Sequence, residues 1–566
     1  MNLKIISKIV ERKKFHLLVL TSSIFFLLFT SVNSNPGAPE SSVFWYASEL
    51  HWSFWPGLML SFFAILISIR HRRKYLGLLS VLIPVFYLYA LPSLIHDMLP
   101  VFDVYHVIPS VLSIVETGSW NMQSIPFPGS HIYQAMSIMI LDLEAMTYAK
   151  IFPTSLAFSM AIFIYTIARR ISTRWAPIAP VVFLSLNWYM EYHLARQPFS
   201  VMLWTAFWLA LFLYLDKRTY RLGIAAGLIL FALIPSHPGM LIIVSFNMAA
   251  LTVITFISFR DQNESEYFFP FMPLLLVFGI GAALFYVSVP AISEYMDSVY
   301  DRFMEGAENS AMEISLGGPA ATSLQYEFVN RLRMLAGGLH SLLGLLGFVA
   351  IYRKVSKRAL LLGAWFFSIF LWLVYPLTQD GHYIERALLS SLIPASILAV
   401  ALLKHCWPNN FDLRNLFQVS VIVIIAAFLI LVPVTKNSID TIETPSRPSY
   451  KAGIFAENNF DGRVYVTDTH HGMFRYIEST EGEDHSTTWQ FRSRSKTPPD
   501  QPYGYRIPRT DRHLSPILFT DYFNNYIEIR YGNTTAVEEI KQYETQISQD
   551  SHRIYDSRGS RIYLET

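Results

Sequence analysis

From residue 15 to residue 435 the chain is a succession of apolar runs, 15 to 22 residues long and almost free of charge. At about 1.5 Å per helical residue, runs of that length match the roughly 30 Å hydrocarbon core of a bilayer. They predict membrane-spanning helices. The composition agrees, because only 15% of the residues are charged, against about 25% in a soluble domain. That excludes a large soluble enzyme. A single cysteine, Cys406, excludes an internal disulfide framework, a Cys-based zinc site and an iron–sulfur cluster. Nucleic acid is excluded as the main partner, since no basic stripe lies in a soluble fold.

Thirteen spans are read, centred on about residues 15–33, 53–69, 75–95, 154–168, 176–190, 199–215, 222–235, 239–258, 268–290, 337–351, 359–377, 387–403 and 415–435. The first follows Lys4, Lys8, Arg12, Lys13 and Lys14 and reads as an uncleaved anchor. Basic residues set the orientation. With the N-terminus inside, the cytoplasmic segments up to residue 435 hold 22 Lys+Arg and 6 Asp+Glu, and the opposite loops hold 6 and 17. This bias is what the positive-inside rule requires. The chain is therefore expected to be a multi-pass protein of the cell membrane whose larger loops, 34–52, 96–153 and 291–336, face outward.

The expected organisation is a multi-span domain over 1–435 and a soluble α+β domain over 436–566, also outside. The tail has 16 basic and 19 acidic residues. Its β-type runs, at 463–466, 526–530 and 561–564, are separated by turn signals such as Asp461-Gly462. Asn533-Thr-Thr is a glycosylation sequon on the outer side, and Asn263-Glu-Ser falls in a cytoplasmic loop.

Candidate chemistry collects in the outer segments. The first large loop reads His96-Asp97-Met-Leu-Pro-Val-Phe-Asp103-Val-Tyr-His106 and runs on to Glu116-Thr-Gly118. Asp103 and His106 fit one helical face, though Pro109 would bend or end that helix. A carboxylate just outside a span suits a general base acting on a hydroxyl. The plain alternative is that outer loops are simply acidic. Phe127-Pro-Gly-Ser-His131 follows, then a moderately apolar stretch over 132–152 that suits one helix lying on the membrane surface. Its Asp142 and Glu144, two residues apart, point to different faces and read as solvated. Three further segments put polar groups at span ends: Glu191-Tyr-His193-Leu-Ala-Arg196, Ser236-His237-Pro238, and Asp380-Gly-His382-Tyr-Ile-Glu385-Arg386. Arginine is scarce on that side, so Arg196 and Arg386 are candidates to hold a phosphate in the guanidinium fork. An Arg–Glu pair within the loop is the competing reading. There is no phosphate-binding Gly-rich loop, no His-Glu-x-x-His and no Gly-x-Ser-x-Gly. Charge within the spans is nearly absent, which argues against an intramembrane ion relay.

The order of these motifs resembles the integral-membrane GT-C glycosyltransferases, especially archaeal relatives of the dolichyl-phosphate-mannose-dependent type. The carriers are Asp-x-x-His…Glu-Thr-Gly, Phe-Pro-Gly-x-His, Ala168-Arg-Arg, Arg-Gln-Pro-Phe-Ser, Ser-His-Pro and a late Arg. The run from Arg553 to Tyr563 is similar to the strand–turn–strand that closes the outer domain in such proteins. The resemblance implies a GT-C-like helical fold and an inverting transfer of sugar from a polyprenyl-phosphate donor at the outer face. It implies that Asp103 is the catalytic base, with Asp97 in reserve, and that Arg386 holds the leaving phosphate. His106, Glu116, His131, Arg196 and His237 are then substrate-binding candidates. The partners are the lipid-linked sugar, the bilayer, and a glycan, lipid or protein acceptor. The loop lacks an Asp-x-Asp or Glu-x-Asp pair, so no metal ligand or other cofactor is assigned and dependence on a divalent cation is left open. No Trp-Trp-Asp motif is present, which disfavours whole-glycan transfer to asparagine. The competing class is a non-enzymatic flippase or assembly factor for lipid-linked glycan.

Overall fold

In the computed structural model, the described residues are 13–34, 44–72, 74–96, 98–99, 103–121, 125, 127–187, 196–217, 219–260, 271–290, 324–352, 357–374, 382–405, 413–442, 447–459, 463–466, 488–491, 517–520, 534–557 and 560–565. The helices are α1 (Lys13–Asn33), α2 (Trp45–Glu49), α3 (Phe54–His71), α4 (Lys74–Val85), a π-helical turn (Phe86–Ala90), α5 (Leu91–Ile95), α6 (Asp103–Thr117), α7 (Gly129–Leu141), α8 (Ala145–Ile171) and α9 (Ile178–Leu186). They continue as α10 (Arg196–Lys217), α11 (Tyr220–Leu233), α12 (Pro238–Arg260), α13 (Phe271–Ser288), α14 (Leu324–Tyr352), α15 (Lys357–Val374), α16 (His382–His405) and α17 (Leu413–Ile442). Every expected span overlaps described helix, the one at 75–95 running through α4, the π-helical turn and α5. Seven of them are long and apolar enough to cross a membrane. The chain is a polytopic, multi-pass helical membrane protein.

One expected span needs correction. The described helix at 176–190 is α9, nine residues long, or about 14 Å, which is half a crossing. All nine residues are buried, packed among α8, α16 and α17. An apolar run enclosed by protein has the same composition as one facing lipid, which is why the sequence reads it as a full span.

Within lipid, helices are joined by close packing and hydrogen bonds rather than by the hydrophobic effect. The N-terminal helices show both. Pro84 removes a backbone donor just before the π-helical turn. In that turn the Tyr87 hydroxyl donates to the Ser23 carbonyl of α1 at 2.7 Å, a bond worth about 1 kcal/mol net. Gly57 of α3 sits beneath that ring, and any Cβ there would overlap the Tyr87 hydroxyl. On α14, a Cβ at Gly347 would likewise overlap the Leu398 carbonyl of α16. Between the same two helices, His340 Nε2 lies 2.7 Å from the Ser391 hydroxyl. Trp208 of α10 stacks on Trp365 of α15 at 4.6 Å.

At the end of the bundle where α8 and α10 finish, Asp216 bridges Arg170 at 2.8 Å and Arg358 at 2.7 Å. Arg358 also donates to the Arg170 carbonyl, and Lys404 donates to that of Ile171. These cations occupy the C-terminal carbonyls of α8, where the helix dipole favours them.

The tail contributes α18 (Arg447–Asn459), β1 (Arg463–Val466), β2 (Thr488–Phe491), β3 (Ile517–Thr520), α19 (Thr534–Asp550), β4 (Ser551–Ser557) and β5 (Ser560–Glu565). The strands form one sheet in the order β2-β1-β3-β5-β4. The first three are parallel, and β5 runs antiparallel to β3 and β4. The two paired strands expected over 553–563 are therefore present, as is the strand at 463–466. The run at 526–530, the sequon Asn263-Glu-Ser and Asn533 lie outside the described residues. Glu544 of α19 accepts from Arg561 and from the Tyr563 hydroxyl of β5, tying helix to sheet.

Candidate functional site

The site end of the bundle is built on α6, α7 and the starts of α8 and α10. The segment entering α6 is anchored on both sides. Lys150 donates to the His96 carbonyl at 3.1 Å, and the Leu99 amide donates to the Tyr105 hydroxyl at 3.0 Å. The His96 ring is itself enclosed between Trp45 and Tyr46. Asp103 is the first residue of α6 and His106 lies within its first turn. The side chains of both, Asp97 entirely, and the side chain of Arg386 in the first turn of α16 are outside the described residues.

Pro109 does not end α6, which continues to Thr117. Thirteen residues separate Asp103 from Glu116, about 20 Å along a helix. Glu116 is exposed at the far end of α6. These two carboxylates therefore do not share a substrate atom.

The stretch over 132–152 is not one helix, a second correction. Asp142 adopts the left-handed conformation, with φ of 50°, and ends α7. Glu144 then begins α8, accepting from the Thr147 hydroxyl at 2.9 Å. Both carboxylates are exposed, so they serve as helix ends and not as an acid–base pair.

Three motifs that are far apart in sequence meet at the start of α7. The Gly129 amide donates to the Pro235 carbonyl at 2.9 Å. A Cβ on Gly129 would lie 3.0 Å from that oxygen, so the Phe-Pro-Gly turn needs its glycine for close approach. This docks residues 127–131 on residues 235–237, with His237 half-buried. His131 is 4% exposed, and it senses the guanidinium of Arg196 at the start of α10. Burial first, and then that positive charge, push the imidazole down to about 4, against the pull of the Phe127 carbonyl. His131 is thus neutral at neutral pH. Tyr133 stacks on Phe199 of α10 at 4.6 Å, which holds α7 against α10 by about 0.5–1.5 kcal/mol beyond area burial. Tyr105, Ile108 and Val111 of α6 join Ala135 and Ile138 of α7 in one buried cluster. Ala452, Ala456, Leu518 and Ile562 of the tail belong to the same cluster.

The structure thus brings His131, Arg196 and the segment ending at His237 together at the start of α7, which packs against α6, and puts Glu116 at the far end of α6 from Asp103. It also adds residues that motif reading passed over. Ser130 and Gln134 share the inward face of α7 with His131, and both are fully buried. Their spacing of four residues was the available signal. Among the described residues, no three His, Cys, Asp or Glu side chains are grouped closely enough to hold a metal ion.

No family model matches the chain. No curated protein matches it either. Among solved structures, it is similar to an oligosaccharyltransferase of Archaeoglobus fulgidus tethered to an acceptor peptide containing the NVT sequon. That pair has 14% identity and a TM-score of 0.44 over 72% of this chain, and it spans only 63% of the other protein's length. It is also similar to ArnT from Cupriavidus metallidurans bound to undecaprenyl phosphate, with 10% identity and a TM-score of 0.49 over 87% of this chain and 97% of that one. The apo form of the same protein gives 11% identity and a TM-score of 0.46 over 83% and 94%.

Proposed function

We propose that the protein is an inverting glycosyltransferase that moves a sugar from a polyprenyl-phosphate donor to an acceptor at the outer face of the cell membrane. The observation that carries the reading is the meeting of residues 127–131, Arg196 and residues 235–237 at the start of α7, which packs against α6. Polar, cationic and carboxylate-bearing segments converge at one end of an otherwise apolar bundle. The opposite end carries the Arg170–Asp216–Arg358 cluster and the basic loops. By the positive-inside rule that end faces the cytoplasm, which puts the candidate site and the tail outside. Nucleotide sugars are absent there, so the sugar arrives on a lipid.

In this reading Asp103 takes the proton of the acceptor hydroxyl as its oxygen attacks the anomeric carbon. The bond from that carbon to the donor phosphate breaks on the opposite face. Arg386 holds the departing phosphate, with Arg196 adding positive charge nearby. A hydroxyl is a poor nucleophile without help, and a positioned base contributes roughly 10²–10⁴-fold.

The test is transfer of labelled sugar from a polyprenyl-phosphate donor by purified protein in nanodiscs. Asp103→Asn is expected to lower turnover by about that factor while expression and donor binding stay near wild type, with Asp97→Asn milder. Arg386→Lys should weaken donor binding and Arg386→Ala weaken it further, because a point charge does not reproduce a bidentate contact. Full activity of both aspartate variants would move the flippase or assembly-factor reading ahead.

A further inference from the structure

Helix α7 buries polar side chains beside its apolar Ala135 and Ile138, unlike a surface helix of a soluble protein, whose buried face is the apolar one. Tyr133, Met136 and Ile140, at helical spacing, are 45%, 55% and 75% exposed. The inward face carries Ser130, His131 and Gln134, all buried. Gln134 is 0% exposed, and among the described residues neither its Oε1 nor its Nε2 has a hydrogen-bond partner. Among the described residues the Ser130 hydroxyl has none either. A buried amide left unpaired opposes folding, and the position calls for a reason to keep it.

We propose that the inward face of α7 is the sugar-recognising face of the donor site, with Gln134 as the residue that reads the sugar hydroxyls. The inference rests on the glycosyltransferase reading above. The amide offers two donors and a carbonyl acceptor. That pattern is complementary to adjacent hydroxyls, each of which both donates and accepts. An uncharged amide is a poor anchor for a phosphate, a task for which Arg196, the cation that His131 senses, is better suited. The outward face of α7 matches acyl chains, where the polyprenyl tail of the donor would lie. One short helix then separates the two halves of a lipid-linked sugar. Because Gln134 is enclosed, the sugar reaches it only when α7 shifts against its neighbours.

The experiment uses the full chain in nanodiscs. The probes are polyprenyl phosphates carrying mannose, glucose or N-acetylglucosamine, and the same lipid phosphate without a sugar. Gln134→Leu, and Gln134→Met as a second near-isostere, should bind the preferred glycosylated lipid roughly 5- to 100-fold more weakly. Binding of the bare lipid phosphate should not change. The unfolding midpoint without ligand should stay level or rise, because the substitution removes an unpaired amide. Wild-type affinity of both variants for the glycosylated lipid overturns the inference, as does an equal loss for both lipids. A lowered midpoint also overturns it, since it would mark an amide paired by a buried water in a structural role. If the wild type binds bare and glycosylated lipids equally, this inference fails and the donor-phosphate reading stands. If it binds neither, the donor reading itself fails.

Discussion

His131 shows how much a single side chain's meaning depends on its surroundings. In the sequence it is one histidine after a Pro-Gly turn. In the structure it is enclosed, and it faces Arg196 across the junction of α7 and α10. With a folded-state value of about 4 against 6.5 for the free imidazole, the unfolded chain binds the proton first as pH falls. The stabilising contribution is therefore complete above pH 6.5 and is lost between pH 6.5 and about 4. A shift of that size corresponds to about 3 kcal/mol at most. His131→Gln should flatten this part of the stability–pH profile, measured as the unfolding midpoint in detergent from pH 7.5 to pH 4.5. Parallel profiles for variant and wild type would show that the enclosure is not retained in solution. Gly129 was legible as a turn glycine. Its role against the Pro235 carbonyl was not, because no local signal ties residue 129 to a partner more than a hundred positions later.

Helix α7 carries the next lesson. The sequence marked its neighbourhood as suited to the membrane surface but ran it together with α8, because Asp142 breaks the helix through backbone conformation and leaves no gap in the apolar pattern. The exposed positions Met136 and Ile140 separate two environments. Facing water, Ile140→Asp would change stability by no more than about 0.5 kcal/mol. Against acyl chains the same change should cost about 1–3 kcal/mol, read as a lowered unfolding midpoint in nanodiscs. A null effect would place this face in water and remove the lipid boundary assigned to α7. Similar reasoning explains the other mismatches. Helix α9 reads as a span because enclosure by protein and by lipid both select Ile, Val and Phe. The hairpin of β4 and β5 was legible because its partners adjoin. The parallel pairing of β1 with β2 and β3 joins strands 20 to 50 residues apart and has no local signature. That Glu116 sits at the far end of α6 from Asp103 was legible only once α6 was seen to run through Pro109.

The molecule as a whole is organised by charge as much as by hydropathy. The count of 22 basic to 6 acidic residues in one set of loops, against 6 to 17 in the other, sets the expected placement of the tail. A protease added to intact cells or spheroplasts should remove residues after α17, whereas inverted vesicles should protect them. The reverse pattern would overturn the topology and move the candidate site to the cytoplasmic face. That expectation rests on sums over many residues, which no single misplaced helix alters. The convergence at α7 was not legible in the sequence, since it depends on how spans far apart in the chain pack. The Arg170–Asp216–Arg358 cluster has a consequence in time. Its first and last members are 188 residues apart, and chains are made at about 5–20 residues per second. Asp216 precedes Arg358 by 142 residues and therefore waits roughly 7–30 s during synthesis before its second cation exists. Lys404 arrives later still. Until Arg358 is made, Arg170 is the one cation of this cluster available to Asp216, so the later helices α15 and α16 complete the contacts at this end of the earlier α8 and α10.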